Sequence, residues 1–423
     1  MTESFASARD AADALRAAIA RHREGDHTAA EQGYRAHLER EPNDPSALHF
    51  LGLLRSHQGR NREAIVLMLQ ALEANPEYVD AWSNLSIAFF QERDLERSEK
   101  CCRRALELAP EFVNAWANLG KTLYAKDAAE EALRAWDRAL ELDPTLRSVA
   151  IPYGQVLYKL NRTAEAREFY SRWNAASPDD PIAQHMLAAV GGAEVPERAS
   201  DAYVRSTFDS FADSFDRKLE TLHYRAPQLL CDAIAASALR PEGTALDVLD
   251  LGCGTGLCGP LLRSQARRLV GVDLSSMMLS KAAARGVYDQ LNRAELTAWL
   301  VECGQRFDVA VAADVLCYFG DLSSVFTRVR ETLTPRGCFA CSLEALPADR
   351  TEVPFVLREH GRYQHAEGYV RAMLAKAGFV RVELSQAHLR YERQEPVAGH
   401  LIIAALDPSS ALAAPPGETT SSP

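Results

Sequence analysis

The sequence has 423 residues, 47% of them hydrophobic and 25% charged, and a chain of this length exceeds one ordinary core, so two domains are expected. The formal net charge of −11 argues against a sequence-independent nucleic-acid binder, which needs a basic face. No apolar signal region and no run close to the roughly 18 apolar residues of a membrane span is present. The nine cysteines are scattered and odd in number, which indicates reduced thiols in a cytoplasmic protein.

The first half of the chain repeats with a period of 34 residues. Prolines recur at this spacing: Pro42, Pro76, Pro110, Pro144 and Pro178. Two series of small residues recur as well: Ala30, Ala64, Ser98, Ala132 and Ala166, and Ala18, Gly52, Ser86, Gly120 and Gly154. Large or apolar residues follow the first series by four positions: Tyr34, Met68, Cys102, Trp136 and Tyr170. The pattern predicts pairs of helices in which small residues allow close approach, large ones fill the grooves, and proline ends the second helix.

This period and pattern resemble tetratricopeptide (TPR) repeats, with five units over residues 11–180. The resemblance implies an all-α solenoid whose concave groove binds a protein or peptide; a dimerising or stabilising module is the alternative. A further helix, 181–190, is expected to cover the last repeat. Residues 1–190 are therefore predicted as the first domain and residues 191–200 as a linker.

The second half opens with Phe208, Phe211 and Phe215 at helical spacing, which is consistent with a helix packed on a core. Further along, a buried apolar run, 246–251, stops at three alternating glycines: Gly252, Gly254 and Gly256. A strand, a tight turn and a helix from residue 257 are predicted there. Such a turn lets the backbone approach a nucleotide-like ligand closely.

A second predicted strand, 268–274, contains Asp273 near its end, where a carboxylate is placed to accept hydrogen bonds from two ribose hydroxyls. Gly254, Gly256 and Gly259 also match the dinucleotide pattern G-x-G-x-x-G. Asp250 argues against a dinucleotide, because its carboxylate would repel a pyrophosphate but attract the cationic amino group and sulfonium of S-adenosylmethionine (SAM). A turn without a ligand is the structural alternative.

The stretch Val248–Gly256 resembles motif I of the class I SAM-dependent methyltransferases, and Gly271–Leu279 resembles the motif that follows it. The resemblance implies a Rossmann-like α/β domain over residues 201–406, with seven strands and an antiparallel final pair. It assigns cofactor binding to eight residues: Asp250, Gly252, Gly254, Gly256, Asp273, Leu274, Met278 and Glu295. The segment Phe208–Asp216 also resembles the lid segment of these enzymes, which folds over bound SAM.

Two of these assignments have competitors. Core packing is the alternative for Met278, which the resemblance sets along the adenine ring. Asp289 competes with Glu295, expected on a third strand over 291–296, for the position facing the adenine amino group.

A fourth strand, 307–314, is followed by a loop that contains Tyr318 and Asp321. Ligands in open α/β sheets bind along the carboxyl edge, so Asp314, Tyr318 and Asp321 are candidates to meet the methyl acceptor, although solvated loop residues show the same pattern. The insertion Gly361–His365 adds His365. We name Asp314, Tyr318 and His365 as candidate catalytic residues, with Asp314 or His365 as a base if the acceptor binds protonated.

Cys338 and Cys341 form a C-x-x-C on a predicted fifth strand, 338–343, where residues i and i+3 face opposite sides. Core packing is expected there, and no metal site is predicted. Two last strands, 379–388 and 397–406, are separated by eight residues and suit an antiparallel hairpin. Residues 407–423 are rich in Ala, Pro and Ser and are expected to be disordered.

Taken whole, the chain resembles bacterial proteins predicted to be methyltransferases with N-terminal TPR repeats. The resemblance implies methyl transfer from SAM to an unidentified small-molecule or protein acceptor. No Asn/Asp-Pro-Pro-Tyr sequence lies near residue 314, which argues against nitrogen methylation of bases or protein amides and leaves oxygens, carbon acids or a protein side chain. A TPR adaptor with a non-catalytic or SAM-sensing domain is the alternative, and a NAD-linked oxidoreductase is the third hypothesis.

Overall fold

A computed structural model describes residues 2–212, 215–243, 245–347, 350, 352–392 and 395–406. The chain divides into two compact units, Met1–Leu160 and Asn161–Pro423. The tail expected to be disordered, 407–423, lies outside the described residues. Within the described ranges, no helix is both long enough and apolar enough to cross a membrane.

The first unit is built of helices joined by short turns, and each helix packs against the next. These are α1 (Thr2–Arg23), α2 (His27–Arg40), α3 (Pro45–His57), α4 (Asn61–Ala74), α5 (Val79–Gln91), α6 (Leu95–Leu108), α7 (Val113–Ala125), α8 (Ala129–Leu142) and α9 (Arg147–Lys159). The repeating prolines follow the even-numbered helices, as the period predicts.

Small and large side chains meet between these helices as predicted. A Cβ atom added at Gly120 would lie 2.4 Å from Trp136, which is only 2% exposed. A Cβ atom at Gly52 would lie 3.0 Å from the Met68 side chain. The absence of a side chain at these positions is therefore what lets α3 and α7 approach the helix that follows each of them.

The second unit begins with helices: α10 (Thr163–Ala176), α11 (Pro181–Ala189), α12 (Asp201–Phe211), α13 (Phe215–Thr221) and α14 (Ala226–Ala236). Ala188 and Ala189 of α11 form an apolar cluster with Leu357 and Tyr363. The compact units thus separate at Leu160, before the last predicted repeat ends. The predicted domain boundary at residue 190 stays a prediction.

The segment predicted as a linker, 191–200, is anchored to the loop that follows the fourth strand. The Ala199 N–H donates to the Tyr318 carbonyl at 2.8 Å, and the Gly320 N–H donates to the Glu197 carbonyl at 2.7 Å. Ala199 is 1% exposed. This part of the segment is therefore ordered by backbone hydrogen bonds.

The second unit contains a twisted sheet whose bounds in the structure are β1 (Leu246–Leu251), β2 (Ala266–Asp273), β3 (Gln290–Arg293), β4 (Phe307–Ala312), β5 (Leu333–Ala345), β6 (Phe355–Leu357), β7 (Tyr363–His365), β8 (Arg381–Glu392) and β9 (Glu395–Ala405). The order is β3-β2-β1-β4-β5-β7-β6, and β9 pairs antiparallel with β5 and β8. The α/β fold class and the antiparallel final pair are confirmed.

The described sheet has nine strands, so the predicted number of seven is corrected. The seven expected strands are present, and the chain between β5 and the last helix adds β6 and β7, which are too short to show an alternating pattern. The third strand ends at Arg293, before Glu295. The antiparallel pairing of the last two strands extends to Glu392 and Glu395, because most of the supposed connection continues the two strands.

Helices α15 (Gly259–Leu262), α16 (Ser276–Ala284), α17 (Leu296–Glu302), α18 (Ser323–Thr332) and α19 (Glu367–Ala377) complete the described fold. The helix after the glycine turn is thus shorter than expected. Alternate residues of the strands supply two apolar cores. Cys338 packs with Leu230 in one core and Cys341 with Phe326 in the other, which confirms that the C-x-x-C thiols face opposite sides.

Candidate active site

The carboxyl ends of parallel strands bring the predicted acids to one edge of the sheet. Strand β1 pairs parallel with β2 on one side and with β4 on the other. Asp250 is in register with Gly271 of β2 and Val311 of β4, while Asp273 ends β2 and Asp314 follows β4. Strand order reverses at β1, and this is where open α/β sheets bind ligands.

The three glycines form the turn that the sequence predicts. Their φ angles are +63° at Gly252, +54° at Gly254 and +84° at Gly256, all in the left-handed region. A Cβ atom at Gly252 would lie 2.3 Å from the Val315 side chain. At Gly254 the same atom would meet nothing within 4 Å, so the turn leaves an open space there.

Asp250 lies behind this turn and is 1% exposed. Its Oδ2 atom accepts a hydrogen bond from the Tyr288 hydroxyl at 2.7 Å, whereas Oδ1 has no hydrogen-bond partner within the described residues. Burial raises the pKa of Asp250 to about 7; the Tyr288 hydrogen bond opposes this rise and the nearby Asp273 carboxylate adds to it. The carboxylate therefore has one oxygen available for a cationic ligand group.

Tyr288 was missed by the sequence analysis, and it also accounts for part of the glycine pattern. A Cβ atom at Gly256 would lie 2.9 Å from the Tyr288 ring, and one at Gly259 would lie 2.8 Å from it. The Tyr288 ring therefore explains why two positions of the G-x-G-x-x-G pattern must be glycine. No bound dinucleotide is needed to account for them. The sequence signal that could have revealed Tyr288 was this pair of glycines, which implies that a large side chain packs against them.

Asp273 is tied to the same turn. Its Oδ2 atom accepts from the Gly254 N–H at 2.9 Å and its Oδ1 atom accepts from the Ser275 N–H at 2.8 Å. Burial raises the pKa of Asp273, and these backbone hydrogen bonds oppose the rise. A carboxylate has about four acceptor positions, so each oxygen can still accept a hydroxyl.

Met278, expected along the adenine, and Leu274, assigned to cofactor binding, differ in their surroundings. Met278 is 1% exposed, on α16, and its N–H donates to the capping hydroxyl of Ser275. Leu274 is half-buried between Asp273 and that cap. The burial of Met278 agrees equally with core packing, so its role stays a prediction.

Glu295 and Asp289 lie at opposite ends of β3. Glu295 caps α17, with Oε2 accepting from the Ala298 N–H at 2.8 Å, while Oε1 has no hydrogen-bond partner in the described part of the chain. Asp289 precedes β3, at the amino edge, and pairs with Arg263 at 2.6 Å. The geometry therefore favours Glu295 over Asp289 as a group facing the cofactor.

On the other side of β1, Asp314 belongs to a buried ion-pair network. Its φ angle is +56°, and both carboxylate oxygens accept from Arg390 Nη1, at 2.9 and 3.0 Å. Glu344, which is fully buried, accepts from both Arg362 and Arg390. Burial alone would raise the pKa of Glu344, but the two guanidinium groups hold it well below its usual value.

Tyr318 faces the predicted lid, with its ring centroid 5.5 Å from that of Phe208. Burial raises the pKa of Tyr318 well above its usual value, so the residue remains a phenol and a hydrogen-bond donor. Asp321 accepts from the Tyr369 hydroxyl at 2.9 Å and from the Ser323 N–H at 3.0 Å. Asp321 therefore holds the start of α18.

His365 is fully buried on β7. Its Nε2 atom lies 2.9 Å from the Phe319 carbonyl and 3.2 Å from the Gly320 carbonyl. Burial lowers the pKa of His365 to about 4. These contacts support the loop after β4. They do not favour a catalytic role for His365, which stays a prediction.

The predicted lid segment contacts both cofactor turns. Asp209 accepts a hydrogen bond from the Ser275 hydroxyl. Asp216 accepts from the Thr255 hydroxyl at 2.6 Å and pairs with Arg285 at 2.6 Å. Two positions of the segment, 213 and 214, lie outside the described residues. The segment is thus bonded to the turns that follow β1 and β2.

Comparison with known families covers both halves of the chain. The family described as "Methyltransferase domain" matches residues 249–339, and families described as "Tetratricopeptide repeat" match residues 51–111, 91–147 and 123–190. The chain joins tetratricopeptide repeats to a methyltransferase domain. The methyl donor of such a domain is SAM.

Curated relatives match part of the methyltransferase half. Human methyltransferase-like protein 27 is 41% identical over 86 residues, covering 20% of this chain and 35% of that protein. Trans-aconitate 2-methyltransferase of Pseudomonas aeruginosa is 37% identical over 23% of this chain and 35% of its own length. Bovine 18S rRNA (guanine-N(7))-methyltransferase is 31% identical over 25% of this chain and 41% of its own length. The matches span well under half of each relative.

Solved structures resemble each half separately. Magnesium protoporphyrin IX methyltransferase from Synechocystis, with bound SAH, has a TM-score of 0.38 and 18% identity, and the match covers 49% of this chain and all of that one. MamA has a TM-score of 0.35 and 18% identity, with coverage of 38% and 94%. Scores at this level carry no functional conclusion.

The residues at the carboxyl edge fit SAM. Asp250 Oδ1 and Glu295 Oε1 are buried acceptors without a hydrogen-bond partner within the described ranges, and Arg198 Nη1 lies 3.9 Å from Glu295 Oε1. A buried polar atom without a partner is costly, so a ligand donor at each would be favourable. The carboxylate suits a cationic amino group, and the open space at Gly254 admits the ligand beside the turn.

Proposed function

We propose that the protein is a SAM-dependent methyltransferase. The observation that carries the proposal is the buried Asp250 carboxylate behind the glycine turn, with Oδ1 available for a ligand. SAM, when bound, supplies an activated methyl group on its sulfonium. Asp250 would hold the amino group, Asp273 would accept hydroxyls, and Glu295 would accept from the adenine amino group.

The acceptor is proposed to bind where β4 and β5 end, next to Asp314 and Tyr318. Methyl transfer depends mainly on positioning the acceptor and excluding water, and needs a base only for a protonated acceptor. Tyr318 remains a donor because of its raised pKa and is suited to orient an acceptor oxygen. Arg390 holds both oxygens of Asp314, so Asp314 is fixed in place.

The acceptor is a small molecule or a protein. The relatives are named for acceptors as different as trans-aconitate and a guanine N7 of 18S rRNA, so they select no single one. The net charge of −11 argues against a nucleic acid. A carboxylate or hydroxyl oxygen, as the sequence suggests, is the acceptor class we test first.

The repeats are proposed to bind a protein or peptide partner, which fits their match to the TPR family. A cytoplasmic location is proposed because all nine cysteines are free thiols, most of them buried.

Calorimetric titration of SAM tests the cofactor. The side chain in Gly254→Arg would fill the open space beside the turn, so binding should be lost. Gly304→Arg is the matched control, because Gly304 has a similar φ angle of +59° and open surroundings but precedes β4 at the amino edge. One-site binding by the wild type and the control, lost in Gly254→Arg, is expected. Failure of the wild type to bind would instead favour the adaptor hypothesis.

Transfer of tritium from methyl-labelled SAM tests the reaction. The purified protein is incubated with fractions of a small-molecule extract and with proteins retained by the repeats. Label in a product that forms with the wild type and not with Gly254→Arg supports catalysis. A protein that binds SAM but labels nothing in either set would point to a sensing role.

A further inference from the structure

One buried side chain in the first repeat differs from its counterparts in the next three repeats. His37 stands where the next three repeats have Ala71, Ala105 and Ala139, each fully buried. His37 is itself only 6% exposed. In the fifth repeat the position holds Trp173, which is 2% exposed. Since both alanine and tryptophan occur here, helix packing does not require an imidazole.

The imidazole of His37 is unsatisfied. Neither ring nitrogen has a hydrogen-bond partner within the described residues. Nε2 points at Asp44, but the distance from Nε2 to Oδ2 is 3.6 Å, which is too long for a direct hydrogen bond. Buried polar groups are normally paired, and an unpaired one often marks a bound water or ion.

Asp44 is held in position for a ligand. Its Oδ1 atom caps α3 by accepting from the Ala47 N–H at 2.7 Å, which leaves Oδ2 facing His37. The corresponding positions in the next three repeats carry Tyr78, Phe112 and Leu146. In the fifth repeat the corresponding residue is Asp180, which caps α11 in the same way, so among the first four repeats only the first carries an acid here.

Glu41, the residue that directly follows α2, completes the set. One ligand atom from each of His37, Glu41 and Asp44 lies within 4.8 Å of the others, and no second such group of three occurs among the described residues. Two carboxylates this close repel each other, and a cation bound between them would remove the repulsion. Glu41 is exposed and Asp44 half-buried, so a cation can enter from solvent.

We propose that His37, Glu41 and Asp44 bind a divalent transition-metal ion, with Zn²⁺ as the preferred ion. One imidazole and two carboxylates are ligands that Zn²⁺ accepts, and three protein ligands leave a fourth position for water. The ion would join the end of α2 to the start of α3 and so stabilise the first repeat. The site lies in the first unit and does not depend on the methyltransferase proposal.

The test is calorimetric titration of ZnCl₂ into the full-length protein after treatment with a chelator, together with the melting temperature. We expect one Zn²⁺ per chain and a higher melting temperature, because the ion binds only the folded repeat. His37→Ala should lower the affinity by more than about a hundredfold, beyond the loss typical of outer-shell partners. The variant should fold, since alanine occupies this position in the next three repeats.

Two further variants test whether the bound Zn²⁺ lies at these three residues. Asp44→Asn keeps a side chain able to cap α3 but removes the anionic ligand, and it should weaken Zn²⁺ binding. His57→Gln disrupts a separate imidazole pair of this unit, His22 and His57, whose nitrogens lie 3.3 Å apart. It should leave binding unchanged.

The absence of Zn²⁺ binding by the wild type would overturn the proposal. So would wild-type affinity in His37→Ala, or loss of the binding in His57→Gln.

Discussion

At the scale of the residue, the buried carboxyl group of Asp250 links the fold to the binding of the cofactor. Asp250 is almost fully buried, and burial raises its pKa to about 7. Placing an acid there is unfavourable for the ligand-free protein at neutral pH. A cationic ligand group would remove that cost, so the binding of SAM and the ionisation of Asp250 should be linked.

The first prediction is that the affinity for SAM rises between pH 5.5 and pH 7. Below the pKa of about 7, Asp250 is protonated in the ligand-free protein, and the cationic ligand binds its ionised form. The association constant should therefore rise by up to about tenfold per pH unit. Titration calorimetry measures this slope. Asp250→Asn should bind weakly with no such slope, and an equal slope in that variant would contradict the assignment.

The ligand-free protein should show the opposite dependence. A carboxyl whose folded pKa is raised contributes stability that is present below its unfolded pKa, and this contribution is lost as the pH rises through about 7.

The second prediction concerns Tyr288, whose hydrogen bond opposes the rise in the pKa of Asp250. Tyr288→Phe should shift the midpoint of the SAM pH profile upward by about one unit, since a hydrogen bond to a charged group is worth about 1.5–3 kcal/mol. Tyr363→Phe is the control: this buried tyrosine donates to the Pro196 carbonyl at 2.7 Å. It should lower stability without moving the midpoint. Equal midpoints in Tyr288→Phe and the wild type would show that Tyr288 only packs against the glycines.

At the scale of the element, the segment with α12 and α13 is bonded to the cofactor turns by single acids. Asp216 joins it to Thr255 and Arg285, and Asp209 joins it to the cap of α16. The Asp216 side chain is 45% exposed, so its bonds contribute little to global stability. We propose that these bonds hold the predicted lid over the cofactor.

The third prediction is that Asp216→Asn increases the dissociation rate of SAM several-fold while changing the free energy of unfolding by less than about 0.5 kcal/mol. The physical reason is that a loosened lid opens more often. Stopped-flow displacement measures the rate. Asp232→Asn alters another aspartate that accepts a side-chain hydrogen bond, from Gln228 on α14, and should behave like the wild type. An unchanged rate of SAM dissociation from Asp216→Asn would contradict the proposed role of the segment as a lid.

At the scale of the whole molecule, the last helices of the repeat pattern pack with the sheet. The ring of His185 in α11 stacks on Tyr203 with 3.8 Å between ring centroids, and its Nε2 atom lies 2.9 Å from the Gly361 carbonyl. Helices α10 and α11 fall in the same compact unit as the sheet, Asn161–Pro423.

The fourth prediction follows from this packing. A fragment of residues 161–423 should fold and bind SAM, whereas a fragment of residues 200–423 should melt at a lower temperature, because it loses the apolar cover over Leu357 and Tyr363. Thermal melts and SAM titrations of both fragments test this. Equal melting temperatures would contradict it. Full activity of the 161–423 fragment on a natural acceptor would also exclude delivery of that acceptor by the earlier repeats.

The sequence alone determined the features that depend on neighbours along the chain. The 34-residue period requires small and large residues at regular spacing, as Gly120 and Trp136 show. The glycine turn and Asp250 lie within one short stretch, and the cofactor class followed from the chemistry of that stretch. The opposite faces of Cys338 and Cys341 followed from the alternation of a strand.

Only the tertiary structure decided which distant residues meet. Tyr288 reaches Asp250 across 38 positions, and Arg390 reaches Asp314 across 76. Such contacts depend on strand order and register, which leave no local periodicity in the sequence. The same holds for Asp289 and Glu295, since only the direction of β3 shows which of them lies at the carboxyl edge.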